Sequence, residues 1–328
     1  MKINRSAIEK MNDLGRKQIP FLFILDFSEN ENIILPLSKI SPESILYDFE
    51  GFTNLTPNLF HINTIPKLSY TYHPIAFAEY EKQFNLVKKE IAFGNSYLIN
   101  LTTATPIDVN IDLKDIFFVS KAKYKLWLDH QFVCFSPETF VKINNGKIYS
   151  FPMKGTIDAS IPNAKKIILE DLKETSEHYT IVDLIRNDLN LVSKKVKVDI
   201  FRYLDEINTQ RGKLLQVSSQ ISGELEPNWQ CNIGNIFHKL LPAGSITGAP
   251  KKRTVEIINS VETFPRNFYT GVAGIFDGRS VNSMVMIRFI EETIDHKYLY
   301  RSGGGITCFS EVQKEYNELI QKIYVPIS

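Results

Sequence analysis

FYTGVAGIFDGRSVNSMVMIRFIEETIDHKYLYR, residues 268–301, reads as three strands at 268–276, 281–291 and 298–301. Two turn dipeptides separate them, Asp277-Gly278 and Asp295-His296, and Asp-Gly between apolar runs is a strong hairpin signal. Strands joined by such short turns pair antiparallel, because a parallel pair needs a crossover of about a dozen residues or more. Outward from this meander, Phe77, Tyr80, Phe84, Val87 and Ile91 form an apolar stripe at helical spacing, opened by Pro74 and ended by Gly94. Residues 97–103 read as a strand, and 132–135 and 140–143 as extended segments flanking Ser136-Pro137-Glu138. Further helices are expected over 162–190, 231–241, 251–262 and 310–324, and short strands and loops over 20–75. Grouped antiparallel strands with helices around them predict an α+β fold rather than a doubly wound parallel sheet.

The 328 residues are 43% hydrophobic and 23% charged, enough for a large buried core. Net charge is +1, from 38 basic and 37 acidic residues, with no long basic block, which argues against nucleic acid as a partner. Cys134, Cys231 and Cys308 are widely spaced and form neither a disulfide framework nor a zinc pattern, as expected in a reducing cytoplasm. The polar residues 1–17 do not resemble a signal peptide, and the apolar run 19–27 is too short to span a bilayer. A cytoplasmic protein with no membrane partner is expected.

Lys154 lies in FPMKGT (151–156), between Pro152 and Gly155. An apolar setting desolvates an ammonium and favours a free amine able to attack carbon, although a lone lysine in a strand-to-turn connection is more often structural. On the last helix Glu311, Glu315, Glu318 and Lys322 share one face, opposite Val312, Tyr316, Leu319, Ile320 and Ile323. By itself such a face is more often simply solvated. Glu174 and Glu177 precede a stretch that is apolar on more than one side, in which Asp183, Arg186 and Asp188 are expected to form an internal charge network. Carboxylates from two helices are also the oxygen donors that Mg²⁺ prefers. The loop LPAGSITGAPKK (241–252) lacks a P-loop ending, since Ala249-Pro250 separates Gly248 from Lys251. Its backbone, that of Gly303, Gly304 and Gly305, and Arg288 are several ways to grip a small anion. The six histidines show no metal spacing, and a structural role is expected for His178.

In order along the chain, SPETF (136–140), PMKGT (152–156), EHYTIVDLIRNDL (177–189), PAGSITGAPKKRTVEII (242–258), YTGVAG (269–274), IRF (287–289), GGGIT (303–307) and SEVQKEYNE (310–318) resemble the motifs of the chorismate-utilising enzymes. The resemblance covers the chain from about residue 74 onward. It implies two large antiparallel sheets packed together with helices outside, and one chorismate-binding domain over 1–328. Within it, 1–73 supplies short strands and loops and 74–328 the catalytic core.

The resemblance also implies the site. Lys154 stands where aminodeoxychorismate synthases carry a nucleophilic lysine and anthranilate synthases an alanine. Glu138 is then the general acid, its pKa raised by apolar Phe135 and Phe140. Glu177, Glu315 and Glu318 are then the Mg²⁺ residues, and Thr247, Tyr269, Arg288, Gly303, Gly304, Gly305 and Lys322 hold the carboxylates of chorismate. Ammonia would come from a separate glutamine amidotransferase subunit. Leu98 replaces a glutamine of the family, and cannot activate water as the lysine of isochorismate and salicylate synthases does. Gln216 replaces a histidine associated with pyruvate elimination. An anthranilate synthase is thus disfavoured at two positions. A scaffold that binds chorismate without turnover is disfavoured because the acid, the nucleophile and the metal ligands are all present.

Overall fold

The computed structural model describes residues 4–27, 31–56, 65–209 and 212–327. Among them, two nine-stranded antiparallel sheets form the body of the molecule. The first runs, edge to edge, Met153–Asp158, Gly212–Glu224, Lys147–Ser150, Thr139–Asn144, Val281–Val285, Val272–Phe276, Phe21–Leu25 and Asn32–Pro36, with Lys194–Thr209 also paired to Gly212–Glu224. The second runs Gly248–Ala249, Leu98–Val109, Tyr298–Ile306, Phe289–Glu292, Phe132–Ser136, Tyr124–Leu128, Ile45–Phe49 and Phe52–Thr53, with Tyr70–Tyr72 on Leu98–Val109. This is the expected α+β architecture.

The strand Phe21–Leu25 shows why both faces of the first sheet are apolar. Successive side chains point to opposite faces. Leu22 and Ile24 join Tyr47, Leu126, Phe132 and Phe289 in the core between the sheets. Phe21, Phe23 and Leu25 instead meet the helices Arg5–Arg16, Leu172–Asn190 and Ile233–Leu240 on the outer face. The helices Phe77–Ala92, Lys251–Val261 and Val312–Gln321 pack together beside Leu98–Val109 and Tyr298–Ile306. Phe21–Leu25 pairs in register with Val272–Phe276, so residues before 74 are built into the same sheet as the meander.

Several local expectations are corrected. The run 281–291 is two strands in different sheets, Val281–Val285 and Phe289–Glu292. Residues 286–288 carry the chain from one sheet to the other, and Arg288 takes a left-handed φ of 55° at the crossing. The helix expected from Pro74 begins at Phe77. Residues 162–190 hold two helices, Ala164–Glu170 and Leu172–Asn190, because Asp171 is extended and caps the second by accepting from Glu174 N at 2.8 Å. That second helix buries one stripe only, Ile181, Val182, Ile185 and Leu189. Asp183 and Arg186 therefore pair at 3.2 Å on the solvent side, and no internal network joins them to Asp188, which is buried against Lys251 at 2.7 Å. The glycines 303–305 lie inside the strand Tyr298–Ile306 rather than after it. Helices Arg5–Arg16 and Leu113–Val119 were not anticipated from the sequence pattern.

Candidate active site

A cavity of about 1290 Å³ opens where both sheets, the loop before Lys251–Val261 and the helices Leu172–Asn190 and Val312–Gln321 meet. Lys154 reaches it from the edge strand Met153–Asp158, whose pairing slips between Met153 and Thr156 around Gly155 at φ 83°. Such a bulge re-aims a side chain out of the regular pleat. The Lys154 Nζ lies 2.8 Å from Glu177 Oε2. Burial pulls the Lys154 pKa down, but Glu177, Glu174 and Glu318 outweigh it and hold the ammonium above the ordinary lysine range. The lowering expected from the apolar flank alone is therefore reversed by the carboxylates.

Glu138 sits in the turn between Phe132–Ser136 and Thr139–Asn144. Its N–H donates to Ser136 Oγ at 3.0 Å, and its Oε1 accepts from Ser245 Oγ at 2.6 Å. Burial raises its pKa, opposed by Ser245, Arg288 and Lys322. Ser245 was not singled out in the sequence; the signal available was a hydroxyl inside the PAGSITGAP segment.

Arg288 lines the same cavity, stacks 5.3 Å from the Tyr324 ring centroid, and has no hydrogen-bond partner for Nε among the described residues. Tyr269 is buried on the wall, its phenol pushed up to about 12 by burial. Lys322 donates to Gly303 O at 2.8 Å and pairs with Glu318 Oε1 at 2.6 Å, and burial lowers its pKa. Gly303 and Gly305 are on the wall. A Cβ at Gly304 would lie 3.4 Å from Glu315 Oε2 and 3.8 Å from Glu318 Oε1, so the missing side chain makes room for the two carboxylates. Thr247 is buried behind the wall with its hydroxyl donated to Ala243 O at 2.8 Å, and Ser245 and Ile246 face the cavity there. Leu98 and Gln216, the two departures, both line it. Glu311 is exposed and pairs with Lys314 at 2.7 Å.

Glu315 and Glu318, from the last helix, face the backbone at Gly304, and Glu177 and Glu318 both act on Lys154, but among the described residues the three carboxylates expected for Mg²⁺ are not gathered within ligand spacing of one another. Carboxylate oxygens are the donors that Mg²⁺ prefers. The lysines Lys154 and Lys322 are inserted among them, each within 2.8 Å of a carboxylate oxygen, so a cation entering here exchanges partners with them.

Residues 67–328 match the chorismate binding enzyme family. The chain is 49% identical over 321 residues to a Haemophilus influenzae protein described as an "Uncharacterized PabA-like protein", covering 98% of this chain and 96% of that one. It is 30% identical over 253 residues to the aminodeoxychorismate synthase component 1 of Bacillus subtilis, covering 73% of this chain and 52% of that one. The anthranilate synthase component I of Streptococcus pneumoniae superposes with a TM-score of 0.69 at 25% identity, covering 82% of this chain and 61% of that structure. The chain belongs to the chorismate-binding enzymes. Among the described residues no helix is long and apolar enough to cross a membrane.

Proposed function

We propose that this enzyme is the synthase component of an aminodeoxychorismate synthase, acting as one chorismate-binding unit over 1–328. It would convert chorismate and ammonia to 4-amino-4-deoxychorismate in the cytoplasm, for p-aminobenzoate and folate formation, with ammonia supplied from glutamine by a separate glutaminase subunit. The observation that carries this reading is the placement of Lys154 on the same cavity wall as Glu138, a buried carboxyl with a raised pKa. In this reading Lys154 Nζ forms a bond to C2 of chorismate as the two conjugated ring double bonds each shift by one position and the C4 hydroxyl departs. Glu138 gives that hydroxyl its proton, so it leaves as water, a role favoured by a raised pKa. Ammonia then bonds to C4, both double bonds shift back, and the C2–Nζ bond breaks to return the lysine.

Lys154 must first lose a proton. The carboxylates that hold it, Glu177 and Glu318, belong to the proposed Mg²⁺ set, and burial alone would favour the free amine. Bound Mg²⁺ would supply positive charge for a substrate carboxylate and neutralise these glutamates. Arg288, with its unpartnered Nε, Tyr269, Lys322 and the backbone of Gly303, Gly304 and Gly305 are assigned to the two carboxylates of chorismate; Thr247 is not, because its hydroxyl donates to Ala243 O and its N–H to Gly244 O. Leu98 on the wall removes a site for water activation, and Gln216 a histidine for elimination. Incubation with chorismate, ammonium and Mg²⁺ tests the proposal. Accumulation of 4-amino-4-deoxychorismate is expected; direct release of anthranilate without an added lyase overturns it.

A further inference from the structure

Two of the histidines that show no metal spacing along the chain, His130 and His296, are brought together by the second sheet. Phe132–Ser136 lies beside Phe289–Glu292, so the turn before the first and the turn after the second meet at one end of the sheet. His130 stands in the first turn and His296 in the second, both at left-handed positions, φ 53° and 56°. Glu292, whose side chain is only 11% exposed, lies between them. Its Oε1 is 2.6 Å from His296 Nδ1 and its Oε2 3.8 Å from His130 Nδ1. One ligand atom from each of the three residues lies within 4.8 Å of the others.

The backbones that carry these groups are fixed. Glu292 N–H donates to Gln131 O at 2.7 Å, tying it to the His130 turn. The His296 turn is closed by Thr293 N–H to Lys297 O at 2.8 Å and His296 N–H to Thr293 O at 2.9 Å. Only the two exposed imidazoles have to rotate to reach the donor spacing of about 3.3 Å implied by a tetrahedral ion with 2.0–2.1 Å bonds. All three side chains line a second cavity, of about 710 Å³, apart from the chorismate-type site. Asp26 and Glu31 on its walls add negative charge that favours a cation, while Glu291 there is paired with Arg301.

We propose that His130, Glu292 and His296 bind one divalent transition metal ion of the zinc type. Two neutral imidazoles and one carboxylate are a donor set for Zn²⁺ and its neighbours; Mg²⁺ and Ca²⁺ prefer oxygen alone. Three protein ligands leave a fourth position open. The ion would also clamp two hairpin turns whose strands are neighbours, so binding should raise the thermal midpoint.

The test uses the full, tag-free chain stripped of metal and titrated with ZnCl₂ at a pH where imidazole is neutral. One Zn²⁺ per chain should bind, with affinity falling about 10-fold or more in each of His130→Ala, His296→Ala and Glu292→Gln. Co²⁺ titration supplies a second readout: absorption of a nitrogen–oxygen site is expected, and thiolate charge-transfer bands from Cys308 or Cys231 would overturn the assignment. Unchanged Zn²⁺ affinity in both histidine variants would overturn it too. Circular dichroism checks that each variant is folded, and the milder His130→Asn and His296→Asn replacements repeat the measurement if an alanine variant is not.

Discussion

The ammonium of Lys154 and the carboxylate of Glu177 lie 2.8 Å apart across the mouth of two different elements, an irregular edge strand and the helix Leu172–Asn190. The pair has two opposed consequences. It orders the lysine on the cavity wall, and it keeps the amine protonated and unreactive. Glu177→Gln should therefore lower the Lys154 pKa, since burial then acts with less opposition. The pH dependence of Lys154 acylation, followed by mass spectrometry, checks this: a midpoint above the ordinary lysine range in the wild type and a lower one in the variant are expected. An unmoved midpoint contradicts the proposed coupling.

Lys154→Ala should retain chorismate binding and lose amination. Binding by calorimetry and turnover with ammonium separate the two effects. Amination at the full wild-type rate would remove the covalent role.

Glu138→Gln is expected to trade activity for stability. Removing a general acid costs about 10²–10⁴-fold in turnover. Burial raises the Glu138 pKa above its ordinary value of 4.5. The stability linked to its protonated form is complete below that value and is lost as pH rises through the folded pKa. The variant, which never ionises there, should gain stability over the wild type at neutral pH, with the difference vanishing at acid pH. Denaturant unfolding of both proteins across that range measures it.

His178 gives the opposite slope. It is fully buried with Nε2 2.7 Å from Ser219 Oγ, and burial with nearby Arg202 lowers its pKa from 6.5 to about 4. The neutral ring is what the fold accommodates, so stability is complete above 6.5 and declines as pH falls toward 4. The loss should amount to roughly 2–4 kcal/mol over that window. His178→Gln should flatten this acid limb in urea unfolding, while a limb as steep as that of the wild type would assign it to other groups.

How far the sequence could be read depended on the range of the forces involved. Asp277-Gly278 is local turn chemistry, and the hairpin it predicted stands in the first sheet. Spacings of three and four on one helix placed Glu315, Glu318 and Lys322 together, and the last two meet in an ion pair. The break at 286–288 was not legible, because Met286 and Ile287 continue the apolar run on either side and the left-handed Arg288 is imposed by the passage between sheets. The charge network failed for a related reason: the side on which Asp183 and Arg186 fall is decided by what packs against the helix. Ser245 and the partners of Lys154 come from distant segments, and no spacing announces such contacts.

The buried pair Arg266–Glu262 links stability to the site. Its side chains are 2% and 5% exposed, and two contacts join them, Nε to Oε2 at 2.9 Å and an NH2 nitrogen to Oε1 at 2.6 Å. Glu262 Oε1 also accepts from Thr102 N and Oγ1, while Arg266 donates to Asn100 O and Ile246 O, backbone of two cavity-lining residues. A buried pair can be nearly neutral against an apolar alternative, yet removing one partner strands the other charge at a cost of about 3–5 kcal/mol. Glu262→Gln and Arg266→Met should each destabilise by that order, and the double variant by clearly less than their sum. Because the pair also holds the Asn100 and Ile246 carbonyls, each single variant should raise KM for chorismate more than it lowers kcat. Additive losses in the double-mutant cycle would mean that the two charges do not depend on one another.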